Sequence, residues 1–518
     1  MLLDRIEPAS ETADILIVGA GAVGLTMGIA LARAGKRVLL CEAGQARLDP
    51  EWQAHNHVVQ GGRHHLGSLD GRYRGLGGTT RLWGGQLMPF TTADLAPNPD
   101  LGKPGWPLRH AELMDAVDAV LQLTGVAQSW AETEAKWCAV TGQGLDLAFG
   151  LRLAPSLWLP QPDLARLFGR ELRQSRALSV LVGHEAIGLQ CRPDGSVAGL
   201  RLRRPDSHEV IVTGQATVLA CGTIETARLL LRIAAAWPSS PLAKNVHVGR
   251  WFFDHLHGDA GEVRLGDKVA FGRLFDSFYS GGRKLMPKVR LCDQEVARRG
   301  VPNCAGLFVG PMSPGLVVQD LRQLLGRIIG SDAGRYAALS EAVQMVRLIL
   351  PLVLRYLAAH RSAHFIGTTA RFRMEMEQLP TAESYLALEE GVPAEHARIK
   401  VNWSLDRTQV ADFTGFASTV RDYCDQTGLG RLELDSRLLS GDARYFDDCR
   451  DSNHQMGGAR MANRAGDGVV DPNCQVFGMP GLFVAGAPTF PSGSFANPTL
   501  VGMALGQRLV SHLLKGTR

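Results

Sequence analysis

The residues whose types and spacing can do chemistry begin at Gly19, Gly21 and Gly24, which stand as G-x-G-x-x-G with Ala22 and Val23 among them. Glu42 and Ala43 close the apolar run that follows. In such a pattern the first glycine makes a tight turn, the second lets the backbone approach a pyrophosphate, and the third lets the helix pack near the strand. The helix that opens there offers free N–H groups and partial positive charge to phosphates. Glu42 is placed to accept from the ribose hydroxyls of an adenosine, and its charge would repel a 2′-phosphate, which disfavours NADP. A lone glycine pattern is weak, but one set between a strand and a helix, with an acid on the next strand, is strong. It specifies a dinucleotide and leaves NAD and FAD open.

The elements around the turn support that placement. Asp14–Val18 reads as a strand, Leu25–Ala34 as a helix stopped at Gly35, and Lys36–Cys41 as a second strand, together one βαβ unit. Ala177–Ile187, Val197–Arg203 and Glu209–Thr213 read as short strands with turns such as Pro193-Asp194-Gly195 between them. Val218–Cys221 reads as a buried strand with the helix Gly222–Arg232 behind it, and Leu482–Ala485 with Pro498–Leu514 as a last strand and helix. The chain thus leaves one domain and returns to it.

Several further segments carry chemistry-bearing residues. Gly77, Gly78, Thr79, Thr80, Leu82, Trp83, Gly84 and Gly85 form a glycine-dense loop, whose missing side chains suit close contact with a ligand. Ala220, Cys221 and Gly222 end a strand, and Gly249 to His255 follow. His454 precedes Gly457-Gly458; Gly486 and Ala487 follow the last strand; Asn497, Pro498 and Thr499 open the last helix. In this order, over most of the chain, these segments resemble the glucose–methanol–choline (GMC) oxidoreductases, and the feel is closest to the bacterial sugar-oxidising branches.

The resemblance implies FAD on the Gly19–Gly24 turn and along the 77–85 loop, with Ala186, Ala220–Gly222, Gly486–Ala487 and Asn497–Thr499 as further cofactor-binding positions. It implies an α/β fold (α+β overall): a discontinuous Rossmann-like FAD-binding domain, and a substrate domain with a mixed sheet and a helical insertion. The expected division is 1–95, 166–250 and 445–518 for FAD, 96–165 for an excursion or lid with connecting helices, and 251–444 for substrate. It implies oxidation of a CH–OH group, on a sugar, glycoside or other polyol, to a carbonyl. The hydride goes to flavin N5, the proton to His454, and Asn497 holds the alcohol oxygen. A base working near neutral pH should titrate near neutral, which histidine does without heavy perturbation. Asn497 cannot serve as a second base. His255, His257 and His360 are taken as structural. Some family members attach FAD covalently through a histidine; Leu82 stands at that position, so the FAD is expected to be non-covalent. The electron acceptor is oxygen or an unknown partner.

Two other functions share parts of this pattern. The N-terminal turn also resembles FAD-dependent aromatic hydroxylases that use NAD(P)H, but Ala485-Gly486-Ala487-Pro488 replaces their Gly-Asp-Ala loop. A flavin-binding protein of assembly or regulation is the second alternative, since fold does not establish activity.

A net charge of +4 over 518 residues gives no basic face for nucleic acid. The nine cysteines are scattered, without a C-x-x-C pair, which argues against a disulfide framework or zinc site. With no signal peptide and no bilayer-length apolar run read from the sequence, the expected location is cytoplasmic. Residues 321–361 carry six arginines against Asp332 and Glu341 among apolar runs. They read as a helical insertion packed on the substrate domain, with contact to an anionic membrane surface as the less favoured alternative.

Overall fold

A computed structural model describes residues 2–3, 12–192, 194–204, 206–310 and 367–516. The helical and membrane-surface expectations for 321–361 lie outside the described residues, as does His360.

The first sheet is built around Thr12–Val18, whose Ile15, Leu16 and Ile17 are almost fully buried. A strand covered on both faces needs such an unbroken apolar run. Val38–Cys41 and the second half of Glu209–Leu219 flank it in parallel. Leu178–Leu181 extends the sheet in parallel on one side, and Leu482–Val484 pairs in parallel with the end of Glu209–Leu219. Val197–Arg203 and Glu185–Cys191 add an antiparallel margin. Helix Ala22–Arg33 packs against the last helix, Pro498–Lys515, across Gly506, where a Cβ would lie 2.9 Å from Met27. The two ends of the chain therefore share one core.

Two strands differ from the sequence expectation. Glu209–Thr213 and the first two residues of the expected strand Val218–Cys221 are parts of one strand, Glu209–Leu219, because Gly214 leaves room for Leu16 of the neighbouring strand instead of breaking the run; Ala220 and Cys221 lie beyond its end. Ala177–Ile187 is two strands, Leu178–Leu181 and Glu185–Cys191, on opposite sides of the sheet. Gly183, at φ +69°, turns the chain between them.

The second sheet has nine strands and pairs antiparallel throughout. Its order runs Gly430–Leu434, Leu256–Leu265, Thr369–Met376, Cys304–Val309, Arg283–Leu291, Leu151–Trp158 and Gln86–Leu87, with Phe278–Ser280 and Arg450–Asp451 at its sides. Leu151–Trp158, from the segment expected to form a lid, is an interior strand of this sheet. Helix Val410–Gln426 buries Phe413 and Phe416, the latter 6.4 Å from Phe372 of the sheet. The mixed pairing lies in a separate three-stranded sheet, where Ile399–Trp403 runs parallel to Val58–Gly62 and antiparallel to Tyr385–Leu388.

One pairing positions the site. Arg450–Asp451 lies antiparallel to Leu256 and His257, and the contact continues as a bridge from Met456 to Phe253. The two peptides exchange hydrogen bonds at Met456 N to Phe253 O (2.8 Å) and Phe253 N to Met456 O (3.1 Å). Gly457 is required here: it sits at φ +81°, and a Cβ would come within 1.9 Å of the Trp251 carbonyl. The segments 249–255 and 454–461, read from the sequence as separate motifs, are thus one paired unit.

Candidate active site

The glycine turn and the 77–85 loop cross each other. Gly77 N donates to Ala20 O at 2.9 Å, and a Cβ on Gly78 would sit 2.7 Å from the Gly21 Cα. Gly19, at φ +100°, passes so near the next strand that a Cβ would meet Ala220 O at 2.7 Å. Gly24 clears the turn itself, its Cβ position lying 1.9 Å from the Gly19 carbonyl and 3.4 Å from Ile17. The space above Gly21 stays open, with no atom nearer than 3.9 Å to its Cβ position. A side-chain-free backbone at a helix start is the surface a pyrophosphate requires.

Glu42 is buried and holds this turn: its carboxylate accepts from Ala20 N at 2.8 Å and Gly44 N at 2.9 Å. Burial raises its carboxyl above the ordinary value, against backbone donors at Ala20, Gly44 and Gly75 and the charge of Arg74. Around it lies a charged wall that the sequence reading missed. Glu225 pairs with Arg72 and Arg74, each at 2.9 Å, and with Arg228. Glu185 pairs with Arg203 and Arg228 at 3.2 Å and with Arg232 at 3.4 Å. Burial raises Glu225, but Arg228, Arg74 and Arg72 outweigh it and hold the carboxyl far below the usual range. These residues come from three distant segments, and no local pattern marks them.

One cleft of about 570 Å³ gathers most of the expected residues. Gly19, Gly21, Ala22, Val23, Glu42 and Ala43 line it together with Gly78, Thr79, Thr80, Leu82, Trp83 and Gly84. So do Ala186, Ala220, Cys221, Gly222, Gly486, Ala487, Pro498 and Thr499, and both His454 and Asn497. Gly24, Gly77 and Gly85 stand behind this lining and shape it. Gly84 makes room for Trp158, whose ring would lie 2.4 Å from a Cβ there. Trp83 is fixed by its indole N–H, which donates to Pro162 O at 2.8 Å. Leu82 is 56% exposed, so its isobutyl group presents carbon, with no nucleophilic atom, to whatever fills the cleft. The glycine cradle, the anchored acid and the lining drawn from these segments fit an FAD molecule.

Asn497 is the residue before helix Pro498–Lys515, and its side chain makes no capping bond to that helix. Its amide is therefore left for the cleft. Starting the helix and lining the site are compatible tasks because Pro498, at the first helical position, has its φ fixed for the helix without a bond from the Asn497 side chain.

His454 is half-buried at the cleft wall, and its backbone N donates to Asp254 Oδ2 at 2.7 Å. Its Nδ1 lies 2.7 Å from Nε2 of His255, which is fully buried. His255, taken from the sequence as structural, is thus the nearest polar partner of the candidate base. Asp254 also accepts from His255 N at 2.7 Å and Ser452 N at 3.2 Å, and lies 3.2 Å from His65 Nε2. Burial foremost, and then His255, push the His454 ring down to about 3, against the opposing pull of Asp254. Burial likewise takes His255 down to about 4. The near-neutral titration expected for the base is replaced by a ring that is uncharged throughout the ordinary pH range.

Asp254, His255 and His454 bring ligand-type atoms within 4.8 Å of one another, as do His65, Asp254 and Asp451. The first group is not arranged for a metal. Two nitrogens bound at ~2.05 Å around a tetrahedral ion stand about 3.3 Å apart. The 2.7 Å found between the two rings is a hydrogen-bond length.

Comparisons with known proteins agree with this reading of the fold. Residues 380–506 match the family described as GMC oxidoreductase, and residues 15–66 match ketopantoate reductase PanE/ApbA. A C-glycoside 3-oxidase of Microbacterium trichothecenolyticum is 45% identical over 62 residues, a match that spans 12% of this chain and 12% of that enzyme. Formate oxidase superposes over 99% of both chains at TM-score 0.58 and 15% identity. Pyridoxine 4-oxidase from Mesorbium loti covers 97% of this chain and 99% of its own at TM-score 0.54 and 16% identity. The C-terminal segment, which holds both His454 and Asn497, is thus similar to the GMC oxidoreductases, and the chain as a whole shares the fold of formate oxidase and pyridoxine 4-oxidase.

Proposed function

We propose that the protein is an FAD-dependent oxidoreductase that converts a CH–OH group of a sugar, glycoside or other polyol to a carbonyl. The observation that carries this reading is the meeting of His454 and Asn497 on the same cleft as the Gly19–Gly24 cradle. A flavin held there supplies the hydride acceptor, at N5. The chain's own groups do the rest. Gly19, Gly21, Gly78 and Thr79 would receive the pyrophosphate, and Glu42, with lone-pair capacity beyond its backbone donors, would accept from the adenosine ribose. The wall of Asn497 donates its amide to the alcohol oxygen, which orients the C–H bond. His454, uncharged at neutral pH, takes the hydroxyl proton at its ring nitrogen. Asp254 and Glu375 both favour the charge that this ring then gains.

The sugar or glycoside class is supported by the C-glycoside 3-oxidase match, and oxygen as electron acceptor by the oxidases among the relatives. Leu82 in the cleft wall supports FAD that is held without a covalent bond. Residues 1–95, 166–250 and 445–518 are assigned to the FAD domain and 251–444 to the substrate domain, in the cytoplasm. Among the described residues no helix is long and apolar enough to cross a membrane.

The test is anaerobic titration of the purified yellow protein with sugars, glycosides and simple alcohols. Bleaching by a carbohydrate, with colour restored by air, is the expected result. Bleaching by NADPH alone would replace this reading with a hydroxylase. Acid denaturation and filtration should release the colour; retention on the polypeptide would contradict non-covalent binding.

A further inference from the structure

We propose that His255 is a positioning residue that fixes the tautomer of His454, leaving Nε2 of His454 bare as the proton acceptor. The identity of His454 as base rests on the proposed function; the tautomer rests on hydrogen bonding alone. In neutral imidazole one nitrogen donates and the other accepts, and the partner of one decides the role of the other. His255 Nδ1 lies 3.3 Å from the carbonyl oxygen of Ser494, which can only accept. His255 Nδ1 therefore carries the proton, and His255 Nε2 is an acceptor. That nitrogen stands 2.7 Å from His454 Nδ1, so His454 must donate from Nδ1. A neutral ring that donates from Nδ1 has no proton on Nε2. Among the described residues no group bonds that second nitrogen, and the ring lines the cleft.

The reverse arrangement places two lone pairs, of His255 Nδ1 and the Ser494 carbonyl, against each other in a fully buried setting, which is costly. Nor can both rings share an extra proton cheaply, because burial holds each below its ordinary titration range. The rings meet edge to face, 4.5 Å between centroids at 73°, which fixes the direction of the bond. His255 is itself anchored: Asp254 Oδ1 accepts from the His255 N–H and from Ser452, and Oδ2 from the His454 N–H. His65 extends the same logic. Its Nδ1 accepts from Ser68 N at 3.0 Å, so its proton is on Nε2, facing Asp254. The chain His65–Asp254–His255–His454 is a directional scaffold ending on the cleft.

The test is solid-state 15N NMR of histidine-labelled holoprotein at pH 7, with His454 assigned by the signals lost in His454→Ala. Wild type should show Nδ1 protonated and Nε2 bare, in an excess of about tenfold, the bias of one hydrogen bond. A bare Nδ1 would overturn the proposal. His255→Leu keeps the volume but removes the acceptor, and should collapse that excess to a mixture of tautomers; an unchanged spectrum would also overturn it. His255→Gln, whose amide oxygen can reach the place of Nε2, should restore the single tautomer, and failure to do so counts against the proposal even where the leucine variant does not fold. None of these readings depends on turnover. If His454→Ala reduces its flavin at the wild-type rate, the base assignment falls while the tautomer result still stands on its own spectrum.

Discussion

The glycine turn near the N-terminus and the histidine site near the C-terminus are built on opposite principles. The turn is local. Gly19, Gly24 and Glu42 lie within one βαβ unit, and the contacts that demand glycine are mostly with backbone atoms of that unit and its neighbouring strand. The histidine site is assembled from His65, Asp254, His255 and His454, three segments joined only when Arg450–Met456 pairs with Phe253–His257. A backbone cradle tolerates almost any surroundings that keep its fold. A buried polar relay works only when each donor finds its acceptor, since an unpaired group costs about 1–3 kcal/mol.

Breaking the turn should have the largest effect. Gly24→Val places carbon on the Gly19 carbonyl, and we expect loss of nearly all bound flavin, with ~2–4 kcal/mol of stability, measured by absorbance and thermal unfolding. His454→Ala tests the other region without touching the cradle. Flavin content should hold while substrate-driven flavin reduction slows by about two to four orders of magnitude; a wild-type rate would remove His454 from the chemistry. Asp254→Asn offers an amide N–H to donors where the carboxylate accepted, and should cost about 2–3 kcal/mol in denaturant unfolding, with flavin still bound in the folded fraction.

Acid should separate the regions as well. On folding, His454 falls from 6.5 to about 3 and His255 from 6.5 to about 4. The unfolded chain therefore binds more protons between pH 6.5 and those values, so stability is full above pH 6.5 and declines as pH falls through that window. His255→Leu should flatten this slope by one proton, or about 1.4 kcal/mol per pH unit, in unfolding followed across pH. The smallest effect is expected of Asn497→Ala: roughly a tenfold loss in flavin reduction, one hydrogen bond to the alcohol oxygen, with the helix start intact because Asn497 makes no capping bond. A loss of stability there instead would move Asn497 from the site to the scaffold.

The βαβ unit was legible because its signals are short-range: Gly19 to Gly24 between an apolar strand and a helix, then Glu42. The order of motifs also led to the 77–85 loop and the Asn497 helix start, which line the same cleft. The charged wall of Arg72, Arg74, Glu185, Glu225, Arg228 and Arg232 was not legible, since isolated arginines and glutamates read as surface residues until the fold buries them together. His255 reads from the sequence as a structural histidine, and its adjacency to Asp254 is the one local signal it offers.

What the sequence alone determined about this protein is where the backbone must pass close to a ligand, because a missing Cβ and a turn's φ are local properties. Only the tertiary structure decided the state of the base. The charge and tautomer of His454 depend on burial and on His255, a residue brought within 2.7 Å by strand pairing across the chain. Electrostatics and hydrogen bonds act through space, and that distance is set when the two segments pair.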